Sequence, residues 1–385
     1  MAHRIEPQRT QRTQRTPTTT GVVLLCVLRV LCGSSSLGAQ PVDTAFRQLL
    51  TSGKPAPAPP AWRALIGEYG ATDSDTLFVL ERDGRLTTLR HGTYAALTEV
   101  APDTFLLADG RLTVERAGGK VAAVSVGGAR LPKRALGTED GSQFTITPLR
   151  PVAELRREAL AATPPHEQGP FRPSDLVAVT TFDTTVHLDV RYATRNNFMR
   201  TPFYSSARAF LQRPAAEALG RASAMLRPFG YGLLVHDAYR PWYVTKMFWE
   251  GTPVPQRVFV ADPAQGSRHN RGEAVDLTLY DLRTGKPAEM TGGYDEMTAR
   301  SYPVYPGGTS LQRWQRDLLR VAMESVGFTV YDAEWWHFDF KDWRSYPIGT
   351  QTFEQLDTRD SGLGTRRGAV PESRVPRPES RPLQP

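Results

Sequence analysis

Glycine-bearing turn pairs recur at short intervals between residues 60 and 135, and they leave this stretch few ways to fold. Arg82-Asp83-Gly84, His91-Gly92, Ala108-Asp109-Gly110, Gly118-Gly119 and Gly127-Gly128 separate the apolar runs TLFVLE, RLTTL, TFLLA, RLTVER and KVAAVSV. Asp-Gly and Gly-Gly supply the positive φ that tight hairpins require, and runs this short suit strands rather than helices. The spacing predicts a small all-β domain, an antiparallel meander closing into a barrel or sandwich. No reactive cluster interrupts it, so its role is that of a spacer, a lid or a binding accessory.

The rest divides by composition. Residues 136–172 read as a connector, with a strand-like QFTITPL, a short helix in AELRREALAA (153–162) and the loop TPPHEQGPFRP. His166-Glu167 begins like a zinc-protease HExxH, but Gly169-Pro170 would break the helix that motif needs. Over residues 173–356, strand-like pieces (LVAVTTF, HLDVRYA, GYGLLVHDA, EAVDLTLYD, FTVYD, WHFDF) alternate with helical ones. The helical segments are 213–229, the stretch after Pro241, and 310–328. In the last, Leu311, Trp314, Leu318 and Met323 keep helical spacing, and Gly327 is placed to end the helix. Short helices packed on one antiparallel or mixed sheet make an α+β domain.

Charge excludes one class of partner. The formal net charge is +7 over 385 residues. Residues 1–39 carry +4 of it and residues 357–385 carry +2, which leaves +1 for the body. The body therefore has no electrostatic case for nucleic acid. Residues 1–39 read as a signal peptide: an Arg-rich start, the apolar run GVVLLCVLRVLCG (21–33), and Leu37-Gly38-Ala39 as a cleavage site. The run is too short to span a membrane and Arg29 interrupts it. The expectation is an exported protein, periplasmic or secreted, without an integral membrane segment once the signal is removed. Both cysteines, Cys26 and Cys32, lie in this leader, so the mature chain has no disulfide, no thiol nucleophile and no cysteine-ligated metal. Residues 357–385, rich in Arg, Pro, Gly and Ser, are expected to be disordered.

Chemistry concentrates in the α+β domain. In SRHNRGEAVD (267–276) and the LTL that follows, Val275, Leu277 and Leu279 alternate with Ala274, Asp276 and Thr278. A strand would turn the first set into the core and Asp276 to the other face. Gly272 permits a tight turn that brings His269 over that same face. A carboxylate and an imidazole converging there suit a divalent metal, zinc first; the competing reading is a strand-end charge and a solvated histidine. AEWWHFDF (333–340) offers His337 as a third ligand and Glu334 as a base, or else an aromatic core strand with a buried histidine. Residues three apart in a regular strand face opposite sides, so Glu334 is expected in an irregular turn before a strand that starts near Trp336. In LLVHDAYRPWYVTKMFW (233–249) an apolar run ends at His236-Asp237, a satisfied polar pair or an extension of the metal set. Arg240, at that strand's end, is placed to stabilise a developing oxyanion.

DVRYATRNNF (189–198), DAYRP, SRHNRGEAVDLTLYD and EWWHF together resemble the zinc D-alanyl-D-alanine dipeptidases of the VanX type, and more distantly the zinc D,D-carboxypeptidases, from about Asp183 to Phe340. The resemblance implies one zinc ion per chain held by His269, Asp276 and His337, with Glu334 as general base and acid and Arg240 as transition-state stabiliser. It implies Tyr192 and Ser267 in the substrate pocket, and Asp295, in MTGGYDEMTARSYP, meeting the free ammonium of a D,D-dipeptide. The loop between Trp249 and Ser267 is short, and the β domain and Arg/Pro tail lie outside the family pattern. No GxSxG occurs, so a covalent serine route has no support. A D,D-carboxypeptidase acting on stem peptides and a non-catalytic envelope-binding protein remain as alternatives. Oligomeric state leaves no mark on the sequence.

Overall fold

The glycine pairs of the N-terminal domain fall at strand reversals. In the computed structural model, which describes residues 48–49, 51–136, 138 and 142–356, one antiparallel sheet runs β1 (Gly67–Tyr69), β2 (Leu77–Arg82), β3 (Arg85–Arg90), β4 (Thr93–Ala96). A second runs β5 (Thr98–Ala101), β6 (Thr104–Leu107), β7 (Gly110–Ala117), β8 (Lys120–Val126), β9 (Ala129–Pro132). Gly84, Gly92, Gly119 and Gly128 take φ of 76–81°, and the residues before them, Asp83, His91, Gly118 and Gly127, take φ of 48–58°. Two successive positive φ values are the signature of the hairpin turn whose twist matches its strands. The two sheets share one core, in which Leu77, Val79 and Leu86 meet Phe105, Leu112, Val124 and Leu131. The leader read over residues 1–39 and the tail read over 357–385 lie outside the described residues.

The strands that follow are β10 (Leu176–Ala178), β11 (His187–Leu188), β12 (Phe210–Gln212), β13 (Tyr231–Asp237), β14 (Ala274–Asp281), β15 (Phe328–Tyr331) and β16 (Glu334–Phe340). The central sheet has the order β11-β13-β14-β16-β15, antiparallel except for the β11–β13 pair. Among the described residues the helices of ten residues or more that accompany it are α1 (Val152–Ala161), α2 (Arg213–Leu226), α3 (Trp242–Gly251) and α4 (Ser310–Ser325). α4 opens on a capping box, Thr309 with Gln312, which satisfies donors that the first turn leaves bare. Its buried Leu318, Leu319, Ala322 and Met323 join Ala218, Leu219 and Ala222 of α2 over Val275, Leu277, Leu279 and Phe338 of the sheet. The domain is α+β, and the β14 alternation holds: the aliphatic set enters the core and Asp276 faces away from it.

Register then assembles the site. Asp276 pairs with His337 on one side and with Asp237 on the other, and directly opposed residues share a face. A register shift between Val235 and Asp237 gives Asp237, and not His236, that place. Other segments depart from expectation. QFTITPL forms no ladder; it runs along the α+β domain, with Ile146 N–H donating to Phe198 O and Leu149 N–H to Gly251 O, each at 2.9 Å. β16 starts at Glu334 itself rather than near Trp336, but the irregularity expected beside Glu334 is there: Val330 pairs with Phe338 and the next residue, Tyr331, with Glu334, so Trp335, Trp336 and His337 are the extra residues of a bulge in β16. No helix among the described residues is long and apolar enough to cross a membrane.

Candidate metal centre

His269 begins a single helical turn, His269–Arg271, that Gly272 closes at φ 68°. The positive φ favours glycine there, and a Cβ at Gly272 would also have to displace Leu176 Cδ2, 2.4 Å away. The turn delivers His269 to Asp276 and His337. His269 Nε2 and His337 Nδ1 lie 3.1 Å apart. Asp276 Oδ1 lies 3.3 Å from the first and 3.0 Å from the second.

The second ring nitrogen of each histidine settles what these atoms carry. His269 Nδ1 is 2.6 Å from Ala238 O. A carbonyl only accepts, so the ring proton sits on Nδ1 and Nε2 presents a lone pair. His337 Nε2 is 2.8 Å from Asp339 Oδ1, which by the same reasoning leaves Nδ1 bare in the neutral ring. Asp276 Oδ1 is buried without a hydrogen-bond partner among the described residues, while Tyr294 donates to its Oδ2 at 3.0 Å. Two imidazole lone pairs and a carboxylate oxygen thus converge within 4.8 Å. Three donor atoms this close call for a cation or a proton between them, and N,N,O donors suit zinc. Asp339 and Ala238 O orient the ligands from behind.

Charge tells the same story. Burial works to raise Asp276, but His269 and His337 beside it hold it well below the usual carboxylate range. Burial opposes the charged form of His337, yet Asp339 and Asp276 outweigh it and push its pKa up to about 10. Metal and proton therefore compete for the same atoms. Glu334 Oε2 lies 3.7 Å from His337 Nδ1; burial, and then the charges of Asp276 and Asp295 against that of His337, push Glu334 up to about 8.

Arg240 is fixed on several sides. Its Nε donates to Asp237 Oδ2 at 2.9 Å, and its Nη2 stands 2.8 Å from that oxygen and 3.6 Å from Asp276 Oδ2. Tyr204 donates to the other Asp237 oxygen at 2.7 Å. Arg240 N–H bonds to His269 O at 3.1 Å, and Asn270 Nδ2 bonds to Arg240 O at 2.8 Å. The guanidinium also lies 4.8 Å from the Phe248 ring centre and 5.2 Å from that of Tyr192. Asp295 is buried, and the Tyr192 hydroxyl lies 3.1 and 3.0 Å from its two oxygens. Burial, then the charge of Asp276, raise Asp295 to about 8. Ser267 Oγ accepts the His269 N–H at 3.2 Å.

One cavity is lined by Tyr192, Arg240, Ser267, His269, Asp276, Asp295, Glu334 and His337, so every residue that the family resemblance implies for the site reaches it. Phe198, Phe248, Phe259, Met297 and Tyr331 supply its apolar wall. His236 stays out of the metal set and faces Asp189, 3.4 Å from Oδ2. Sequence reasoning passed over Asp237 as the Arg240 holder, Asp339 and Tyr294. Asp339 had a signal, two strand positions after His337 on the same face; Tyr294, in a loop, had none.

Residues 172–355 match the D-ala-D-ala dipeptidase family, Peptidase_M15. The D-alanyl-D-alanine dipeptidase of Escherichia coli (strain K12) is 34% identical over 180 residues, 47% of this chain and 92% of that protein. Those of Enterococcus faecium and Streptomyces coelicolor (strain ATCC BAA-471 / A3(2) / M145) are each 33% identical, over 44% of this chain and 95% and 92% of theirs. A solved LdcB LD-carboxypeptidase aligns with 51% of this chain at 18% identity and a TM-score of 0.26, a likeness too slight to bear on the argument. Relatives a third identical and matched over nearly their whole length place the chain: it belongs to the D-alanyl-D-alanine dipeptidase family of metallopeptidases.

Proposed function

We propose that the protein is an exported zinc dipeptidase that hydrolyses free D-alanyl-D-alanine or a closely related D,D-dipeptide. The observation that carries the substrate reading is Asp295, a buried carboxylate in the same cavity as the metal-ligand set. A buried carboxylate facing that cavity suits a cationic group, and the free ammonium of a dipeptide supplies one.

His269, Asp276 and His337 would hold the ion. Zinc bound there supplies Lewis acidity, polarising a peptide carbonyl and lowering the pKa of water to about 7. Glu334 takes the proton of the attacking water and returns it to the leaving nitrogen. Arg240, held rigid by Asp237, offers its guanidinium to the carbonyl oxygen as negative charge develops there. Asp295 fixes the amino end, which sets the distance from ammonium to scissile bond and restricts the substrate to a short one. Ser267 and Tyr192 shape the pocket around it.

The test compares D-Ala-D-Ala with its N-acetyl derivative and with a pentapeptide stem ending in D-Ala-D-Ala. Losing the charge partner of Asp295 costs about 1.5–3 kcal/mol, so kcat/KM for the blocked substrates is expected to fall about tenfold to more than a hundredfold. Equal or faster cleavage of the blocked substrates would replace this reading with that of a D,D-carboxypeptidase.

A further inference from the structure

Asp295 holds its backbone at φ 56°, a region that residues with a side chain avoid and keep only where their surroundings impose it. Tyr192 holds the carboxylate. The backbone is held by a residue outside the 172–355 stretch shared with the family. Gln143 Nε2 donates to Tyr294 O at 3.0 Å, and Gln143 Oε1 accepts from Arg191 Nη1 at 2.8 Å. Tyr294 O belongs to the planar peptide unit that carries the Asp295 nitrogen, so its orientation bears directly on φ of Asp295. Arg191 immediately precedes Tyr192. Gln143 therefore joins the chain just ahead of Asp295 to the chain just ahead of the tyrosine that holds Asp295.

We infer that Gln143 is a positioning residue for recognition of the substrate's ammonium, an inference that rests on the role proposed above for Asp295. The bridge calls for an amide. A guanidinium only donates and a peptide carbonyl only accepts, so the group between them must do both. The same connector touches this loop again at Thr138, whose hydroxyl meets Arg300 Nη2. Arg300 Nε and Nη2 donate to the two oxygens of Glu296 at 2.6 and 2.7 Å. Glu296 Oε2 accepts the Gly293 N–H at 2.7 Å. The loop around Asp295 is thus closed upon itself and tied to the connector on both flanks. The connector has its own anchors, the Ile146–Phe198 and Leu149–Gly251 backbone bonds and the packing of α1 on α3, so loss of the Gln143 side chain leaves it in place.

The experiment uses the full chain, metal-loaded, as Gln143→Ala, Gln143→Glu and Asp295→Asn. Gln143→Glu keeps an acceptor for Arg191 but sets a carboxylate oxygen against Tyr294 O. A connector merely pinned through Arg191 would tolerate that change, whereas a brace on the 294–295 peptide would not. Both Gln143 variants are expected to raise KM for free D-Ala-D-Ala about five- to tenfold, with kcat nearly unchanged and the preference over N-acetyl-D-Ala-D-Ala narrowed by the same factor. Amide hydrogen exchange should quicken over residues 290–302 and stay as in the parent in the N-terminal β-sheets. Wild-type preference and exchange in Gln143→Ala overturn the inference, as does Gln143→Glu behaving like the parent while Gln143→Ala does not. Wild-type preference in Asp295→Asn would instead remove the ammonium reading, and exchange over 290–302 then decides on the brace alone.

Discussion

Replacing Asp339 separates the orientation of a metal-site histidine from its mere presence. Asp339 Oδ1 lies 2.8 Å behind His337 Nε2, and as an ionised acceptor it demands that the ring proton sit there. The opposite nitrogen is thereby left bare toward His269 and Asp276. In Asp339→Asn the ring meets a neutral amide. If the amide oxygen faces the ring, the tautomer survives but the charge is gone. If the amino group faces it, the proton moves to Nδ1 and blocks the ligand. A hydrogen bond to a charged group is worth about 1.5–3 kcal/mol against about 1 kcal/mol for a neutral one, a difference of roughly two- to thirtyfold in affinity. Outer partners of metal-binding histidines commonly matter by about 10–100-fold. Zinc binding in Asp339→Asn is therefore expected to weaken about tenfold or more, and Asp339→Ala should do no better. Competition against a chelator of known affinity at fixed pH measures it. An unchanged zinc Kd in both variants would refute the tautomer argument and with it the place of His337 Nδ1 in the ligand set.

Glu334→Gln should retain zinc and lose turnover by several orders of magnitude, since an amide cannot take up the proton of water; metal content and kcat measured on one sample check it. Asp237→Ala leaves Arg240 buried with only the longer 3.6 Å approach to Asp276, and breaking a buried pair from one side costs about 3–5 kcal/mol, read as a lower denaturation midpoint. Glu273 is buried with neither carboxylate oxygen partnered among the described residues, and burial, then the charge of Asp342, push it up to about 8. The folded state thus keeps a proton that an unfolded glutamate sheds near pH 4.3. That contribution is complete at low pH and is lost as pH rises toward 8. Glu273→Gln should flatten the decline in stability between pH 5 and 9.

What could be read in the sequence was whatever depends on local period and local turn chemistry. The β14 alternation placed Asp276 opposite Val275, Leu277 and Leu279, and Gly272 announced the turn that returns His269. The hairpin glycines marked the reversals of the N-terminal sheets. Pairings set by long-range register were not legible. Whether His236 or Asp237 shares the face of Asp276 depends on the shift between Val235 and Asp237, which no neighbouring residue signals. Glu334 and His337 meet within one strand because β16 bulges between Glu334 and Phe338, a bulge defined by its pairing with Val330 and Tyr331. QFTITPL has a strand's composition but finds no strand to pair with, and its Gln143 instead makes side-chain bonds to two distant segments.

The buried charges explain how the parts of the site depend on one another. Asp276, Asp295 and Glu334 crowd one cavity, and Arg240 is already paired with Asp237. Burial and mutual repulsion raise both Asp295 and Glu334 to about 8, so near neutral pH the bare pocket favours their protonated forms. A general base must be ionised to act. A dication among His269, Asp276 and His337 brings positive charge beside Glu334 and favours its carboxylate form. A substrate ammonium at Asp295 acts in the same direction, because it neutralises one of the charges that repel Glu334. Each ligand binds better where the other is already present, and the coupling is reciprocal. On the proposed assignment of Glu334 as base, the arrival of the metal and the substrate would bring it to its working state.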